Sequence, residues 1–151
     1  MIQGDIINLI LRSLMHKDIP IIKEMSPKVL QKDEISLIHY VLNDKNIANN
    51  YQVIVLNTTI IGFFNLFNLD EKKLSLRCFF IDRKHQNKGY ASQTLKHLKT
   101  YVKKNFPTFI EIELNVDFNN KKAYSSYIKV GFQEENKKNK NNEIKMQLAL
   151  F

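Results

Sequence analysis

The chain has 151 residues, 44% of them apolar and 25% charged, which is enough for one buried core and short for two domains. A single cysteine, Cys78, excludes an internal disulfide framework and any metal site built on several thiolates, while the four glycines, Gly4, Gly62, Gly89 and Gly131, cannot spell a GxGxxG or GxxxxGK[ST] loop. Classical Rossmann dehydrogenases and Walker-type NTPases are therefore excluded, and the absence of GxSxG and HExxH removes the easily read hydrolases; the formal charge of +8 lies wholly after Asp82.

Taken in chain order, the apolar start from Ile6 to Met15 is preceded by Asp5 and interrupted by Asn8 and Arg12, unlike a leader or a membrane span. A soluble cytoplasmic protein without membrane contact is expected. Leu9 to Leu14 reads as a strand, followed by a short helix over 18–25 that tolerates Pro20 in its first turn. Asp33 reads as the N-cap of a second helix, in which Ile35, Ile38, Val41 and Leu42 recur at helical spacing. The β-branched and aromatic runs 52–56 and 60–69, separated by Asn57-Thr58-Thr59, predict a hairpin, and 73–81 predicts a further strand.

After Gly89, the residues Ala91, Leu95, Leu98 and Val102 form one apolar stripe and Lys96, Lys99 and Lys103 the opposite face, so an amphipathic helix is predicted up to Asn105-Phe106-Pro107. Residues 109–116 alternate Ile110, Ile112, Leu114 and Val116 with Glu111, Glu113 and Asn115, the pattern of a half-buried strand. A helix over 119–130 ended by Gly131, a polar loop over 134–143 and a strand over 144–150 complete the chain. Strands interleaved with helices in the second half make the fold mixed α/β.

Residues 83–151 hold fourteen basic and six acidic side chains, and from Arg83 to Ile110 there are seven basic residues and no acid. A basic run is often only a solvated face. Here it coincides with a strand, a turn and a helix that opens at Gly89, where unpartnered backbone N–H groups attract phosphate and a missing Cβ lets an anion approach. An anion site is expected there.

The residues at this point, Gln86-Asn87-Lys88-Gly89-Tyr90-Ala91, resemble the Q/RxxGxG/A signature of the GNAT superfamily of N-acetyltransferases. About thirty residues on, the stretch from Asn120 to Phe132 is similar to a second block of that family, NxxAxxxYxKxGF, with Asn120, Ala123, Tyr127, Lys129, Gly131 and Phe132 at the fixed positions. The resemblance implies one GNAT-type domain over 1–151, with a central, mostly antiparallel twisted sheet of six to seven strands flanked by about four helices. It also implies acetyl-CoA as donor and no metal. Backbone amides of Gln86, Asn87, Lys88, Gly89, Tyr90 and Ala91 would hold the pyrophosphate, Phe79, Phe80 and Ile81 would pair with the pantetheine arm, Asn120 would contact the cofactor, and Tyr127 would sit beside the sulfur. Arg83 stands where the family often has proline, and Phe79-Phe80 is bulkier than its usual aliphatic pair.

Acetyl transfer to an amine needs a base, because an alkylamine with a pKa of about 10 is mostly ammonium at neutral pH. Glu111 and Glu113 share a strand face and are the candidates. The Ile81 N–H is the candidate oxyanion donor, and Tyr127 the general acid for the departing thiolate. Outside its motif Tyr127 would read as a core tyrosine, the alternating acids as an ordinary half-exposed strand, and Cys78 as a packed strand residue. His85 and His97 read as surface residues. The acceptor is expected to be a small-molecule amine, a protein N-terminus or an aminoacyl group, and dimers, frequent in the family, leave a homodimer open. The alternative is a non-catalytic basic module on the same fold that binds nucleic acid or senses acetyl-CoA; no RNP-like or zinc-finger motif supports nucleic acid.

Overall fold

The computed structural model describes residues 8–25, 50–135 and 142–151. The helix expected after Asp33 and the interior of the polar loop lie outside the described residues. Seven strands hydrogen-bond in the order β1-β2-β3-β4-β5-β7-β6: β1 (Leu9–Ser13), β2 (Tyr51–Leu56), β3 (Thr59–Asn68), β4 (Lys73–Ile81), β5 (Glu111–Asp117), β6 (Gln133–Glu134) and β7 (Glu143–Ala149). Three helices accompany them among the described residues, α1 (Ile19–Lys23), α2 (Tyr90–Asn105) and α3 (Lys121–Lys129). The pairs β1–β2, β2–β3, β5–β7 and β6–β7 are antiparallel and β4–β5 is parallel. A parallel neighbour requires a crossover, and α2 with its flanking loops supplies it.

By contacts the chain falls into two units, 1–65 with 78–94, and 66–77 with 95–151. In the first, Ile22, Tyr51, Val53, Val55, Ile60, Phe63 and Phe80 form one buried cluster. The β2–β3 turn has two residues rather than three: Asn57 and Thr58 both take positive φ, +46 and +77, and Leu56 pairs with Thr59. Two left-handed residues are what a twisted two-residue hairpin demands. In the second unit, Ile112, Leu114 and Val116 of β5 and Ile144, Met146 and Leu148 of β7 are buried by strict alternation. Ile110 departs from the expected stripe and is 42% exposed, because the strand starts two residues later than expected, at Glu111.

The α1 entry is held by a buried carboxylate. Asp18 accepts two hydrogen bonds from the Arg12 guanidinium, at 2.6 and 3.0 Å, and one from the Met15 N–H at 2.7 Å. The Arg12 hydrogen bonds outweigh burial and hold the Asp18 pKa below its ordinary value. A depressed folded pKa means that this stabilisation is complete above about pH 4, the unfolded value, and is lost as pH falls through the lowered folded value. Asp18→Asn should cost about 2 kcal/mol at neutral pH, less than a fully buried pair loses, since the Arg12 side chain keeps 30% of its surface in water. Urea unfolding at pH 6 and pH 3 checks this: the gap between variant and wild type should shrink in acid.

Candidate active site

The end of β4 and the start of α2 are joined by a 3-10 turn, Arg83–His85, and a loop whose Asn87 and Gly89 have φ of +61 and +83. Gln86 anchors this loop through its side chain, since Nε2 donates to the Ile81 carbonyl at 2.7 Å. Gly89 caps α2: its carbonyl accepts the Gln93 N–H at 3.1 Å, leaving the N–H groups of Tyr90, Ala91 and Ser92 without intrahelical acceptors. A Cβ on Gly89 would meet nothing within 4 Å, so the approach to these N–H groups is open. No acid stands in the first turn of α2. Asp or Glu is the usual complement of that positive terminus, and its absence leaves the terminus to an external anion. Arg83, Lys84 and Lys88 are exposed around it. His85 corrects the surface expectation in part: its side chain is 25% exposed, its Nδ1 is buried 3.9 Å from Asp82 Oδ2, and its ring lies 6.4 Å from that of Tyr90. His97 is exposed as expected.

Phe79, Phe80 and Ile81 end β4. Phe80 stacks on Phe63, with centroids 5.2 Å apart, and Phe79 on Phe64 at 6.0 Å, so neighbouring residues of β4 use neighbouring residues of β3. Gly62 of β3 is a positioning residue that the sequence reading passed over. A Cβ there would fall on the Phe80 carbonyl oxygen and within 3.1 Å of Ile81 Cδ1. The available signal was a lone glycine inside a strand pattern, which marks a close backbone approach. Gly62→Ala should therefore push β4 from β3 and destabilise the chain by about 2–3 kcal/mol. A urea midpoint no lower than that of wild type would contradict this packing.

The second unit carries the other candidates, and its motif residues have local structural reasons. Asn120 is the N-cap of α3, its Oδ1 accepting the Ala123 N–H at 3.2 Å, so the helix begins at Lys121 rather than at Asn119. Asn120 is exposed, which leaves its amide donor toward solvent. At the other end, the Gly131 N–H bonds the Ile128 carbonyl and the Phe132 N–H bonds the Tyr127 carbonyl, both at 3.1 Å, with Gly131 at φ +108. This is a Schellman termination, whose hydrophobic contact joins the residue after the glycine to the last turn. Phe132, 2% exposed, accordingly sets its ring edge-on to Tyr127 at 5.6 Å. The ring of Tyr127 is thus held by its own motif. Burial raises its pKa, which keeps the hydroxyl protonated through the neutral range.

Glu111 and Glu113 do share one face of β5, between charged neighbours. Lys73 Nζ lies 3.7 Å from Glu111 Oε2 and from Glu113 Oε1, and Lys145 Nζ lies 3.5 Å from Glu113 Oε2. Glu111 Oε2 is buried and has no hydrogen bond. Burial raises the Glu111 pKa, against the attraction of Lys73. Among the described residues no group of three or more His, Cys, Asp or Glu is arranged to hold a metal ion, and no helix is long and apolar enough to cross a membrane.

The chain belongs to the acetyltransferase (GNAT) family: the sequence model of that family matches residues 19–132, more than half of its length. No curated protein matches significantly. Among solved structures it is similar to the spermidine N-acetyltransferase of Vibrio cholerae in complex with CoA and spermine, 22% identical over 94% of this chain and 95% of that one, with a TM-score of 0.65. It is also similar to the PaiA N-acetyltransferase of Thermoplasma acidophilum in complex with coenzyme A, 19% identical over 94% and 99%, with a TM-score of 0.70. A GNAT-family acetyltransferase of Bacillus anthracis gives 17% over 94% and 95%, again with a TM-score of 0.70. At these identities the likeness is one of fold, and it agrees with the expected mixed α/β sheet of six to seven strands.

Proposed function

We propose that this chain is an acetyl-CoA-dependent N-acetyltransferase that moves an acetyl group to a primary amine, in a single catalytic domain over residues 1–151. The observation that carries the reading is the open start of α2, where a bare Cα at Gly89, a first turn without acids and three exposed basic residues suit a polyphosphate. The CoA held by two of the similar structures supports the same donor. When bound, acetyl-CoA would supply a thioester-activated acetyl group.

The remaining chemistry falls to this chain's own residues. Backbone amides of Asn87 to Ala91 would hold the pyrophosphate, while Gln86, whose own N–H bonds the Arg83 carbonyl at 3.4 Å, braces the loop through its side chain instead; Phe79, Phe80 and Ile81 would offer their backbone to the pantetheine arm, and the exposed amide of Asn120 would contact the cofactor. The Ile81 N–H stabilises developing negative charge on the carbonyl oxygen. Tyr127 gives a proton to the leaving sulfur. Glu111 and Glu113, the candidate bases, pair with Lys73 and Ser75 at the start of β4, eight and six residues before Ile81, so the proton of the acceptor amine is not assigned to either. No metal is required.

Several similar structures are named for spermidine, yet a chain of net charge +8 is a poor electrostatic match for a polyamine. Small amines, peptide N-termini and aminoacyl groups are the better acceptors. A cytoplasmic location accords with the lone cysteine, and a second copy of the chain is the proposed partner besides the acceptor. Isothermal titration with acetyl-CoA and with a mixed oligonucleotide tests the reading. Saturable acetyl-CoA binding is expected, whereas tight oligonucleotide binding without cofactor binding would favour the non-catalytic basic module.

A further inference from the structure

Cys78 stands inside β4 with φ +53, a left-handed conformation that side chains bearing a Cβ avoid. Such a conformation persists only where the surroundings over-determine it. The ladder between β4 and β5 covers only Lys73–Ser75 against Glu111–Glu113, so it ends before the kink and does not impose it. On its other side β4 neighbours β3 in the sheet, and the restraint comes from that side.

Tyr51 of β2 and Asn65 of β3 sit directly opposite each other in their ladder, and both are 4% exposed. The Tyr51 ring packs with Phe63 at 5.9 Å in the buried cluster that includes Phe80, and Cys78 packs against that same cluster. The Tyr51 hydroxyl accepts a hydrogen bond from the Asn65 amide and is hydrogen-bonded to Cys78; burial first, and then Cys78, raise its pKa. With its donor turned to Tyr51, Asn65 leaves Oδ1 buried and without a partner. Folded proteins rarely carry a buried acceptor in that state, and an apolar residue opposite Tyr51 would avoid it altogether. The retained amide points to a need for the orientation it gives the hydroxyl.

We propose that Tyr51 is a positioning residue: its hydroxyl, oriented by Asn65, pins the Cys78 side chain and so holds β4 in the left-handed kink that directs the peptide groups of Phe79, Phe80 and Ile81. Those peptides are the ones assigned to the pantetheine arm and to the oxyanion. The consequence for catalysis rests on the acetyltransferase reading, while the clamp itself does not. Removal of the hydroxyl leaves the ring in its cluster and takes away the contact that opposes relaxation of Cys78 to an extended conformation. Gly62 limits the other direction, since it lets the Phe80 carbonyl come close to β3.

The test is amide hydrogen exchange followed by NMR on the full chain without ligand. Tyr51→Phe and Cys78→Ala should each speed exchange at Phe79, Phe80 and Ile81 by about 10-fold, with little change at Val53 and Ile54 beside the substituted tyrosine. The double variant should exchange no faster than either single one, because the two side chains act as a pair. Cys78→Ser, which keeps an acceptor on the same Cβ, should stay near wild type. Unchanged exchange in Tyr51→Phe, or additive effects in the double variant, overturns the clamp. In turnover, Tyr51→Phe should lower kcat by about 10-fold while the KM for acetyl-CoA stays within about 2-fold. If exchange responds as expected and the wild type acetylates no amine, the clamp stands and the acetyltransferase reading falls.

Discussion

Gly89→Glu should abolish acetyl-CoA binding while the chain stays folded. The new side chain has room, because a Cβ at this position meets no atom within 4 Å, and it would project a carboxylate beside the first N–H groups of α2. A negative charge there would occupy the positive helix terminus proposed for the pyrophosphate and repel it. Backbone strain complicates the substitution, since φ at Gly89 is +83 and any side chain costs about 1–2 kcal/mol in that region. Gly89→Gln carries the same strain and nearly the same shape without the charge. Calorimetric titration should therefore give a measurable, weakened affinity for the glutamine variant and none for the glutamate variant. Equal affinities in the two would remove the phosphate from Gly89.

Tyr127→Phe should lower kcat by about 10- to 1,000-fold while the acetyl-CoA Kd moves little. The ring stays in place because Phe132 packs on it and the Schellman bonds at Gly131 do not involve the hydroxyl. Only the hydroxyl is lost. A thiolate is already a fair leaving group and water can partly replace the hydroxyl, so the drop should be smaller than the loss of a nucleophile would give. The raised pKa of Tyr127 adds a sign to the pH profile: a donor is protonated below its pKa, so its contribution should persist through neutrality and disappear only on the alkaline side of the ordinary tyrosine value. If kcat is unchanged and Kd rises several-fold, Tyr127 packs against the cofactor and transfers no proton. If neither changes, the assignment of 120–132 to the cofactor fails.

What periodicity and turn chemistry specify was legible before the structure. Leu95, Leu98 and Val102 are buried to 4% or less as the stripe required, although Ala91, at the first turn, is exposed. Gly131 ends α3 as expected, and the structure adds why the next residue is phenylalanine: it closes the cap on Tyr127. Three features were out of reach of a linear reading. Cysteine has no preference for positive φ, so the kink at Cys78 has no local signature and depends on Tyr51, 27 positions earlier. The lysines beside Glu111 and Glu113 come from β4 and β7, and only the ladder brings them together. The family resemblance gives Asn120 to the cofactor, and its second use as an N-cap follows from the helix beginning two residues later than expected, at Lys121.

Two glycines illustrate the difference between the two kinds of information. Gly89 announces itself through its neighbours, a basic run and a helical stripe that starts beside it. Gly62 lies in a β-branched and aromatic run with no such context, and its role appears only when Phe80 is seen against it. The same holds for Asn65, a polar residue in an apolar strand, whose partner is fixed by the β2–β3 register.

Amine-dependent release of the CoA thiol from acetyl-CoA tests the central claim most directly. With a panel of small primary amines, peptides with free N-termini and aminoacyl-RNA, at least one acceptor should raise thiol release well above the amine-free rate, and Gly89→Glu should reduce that release to background. Binding of acetyl-CoA with no stimulation by any member of the panel would contradict catalysis and leave the chain a binding module on the GNAT fold.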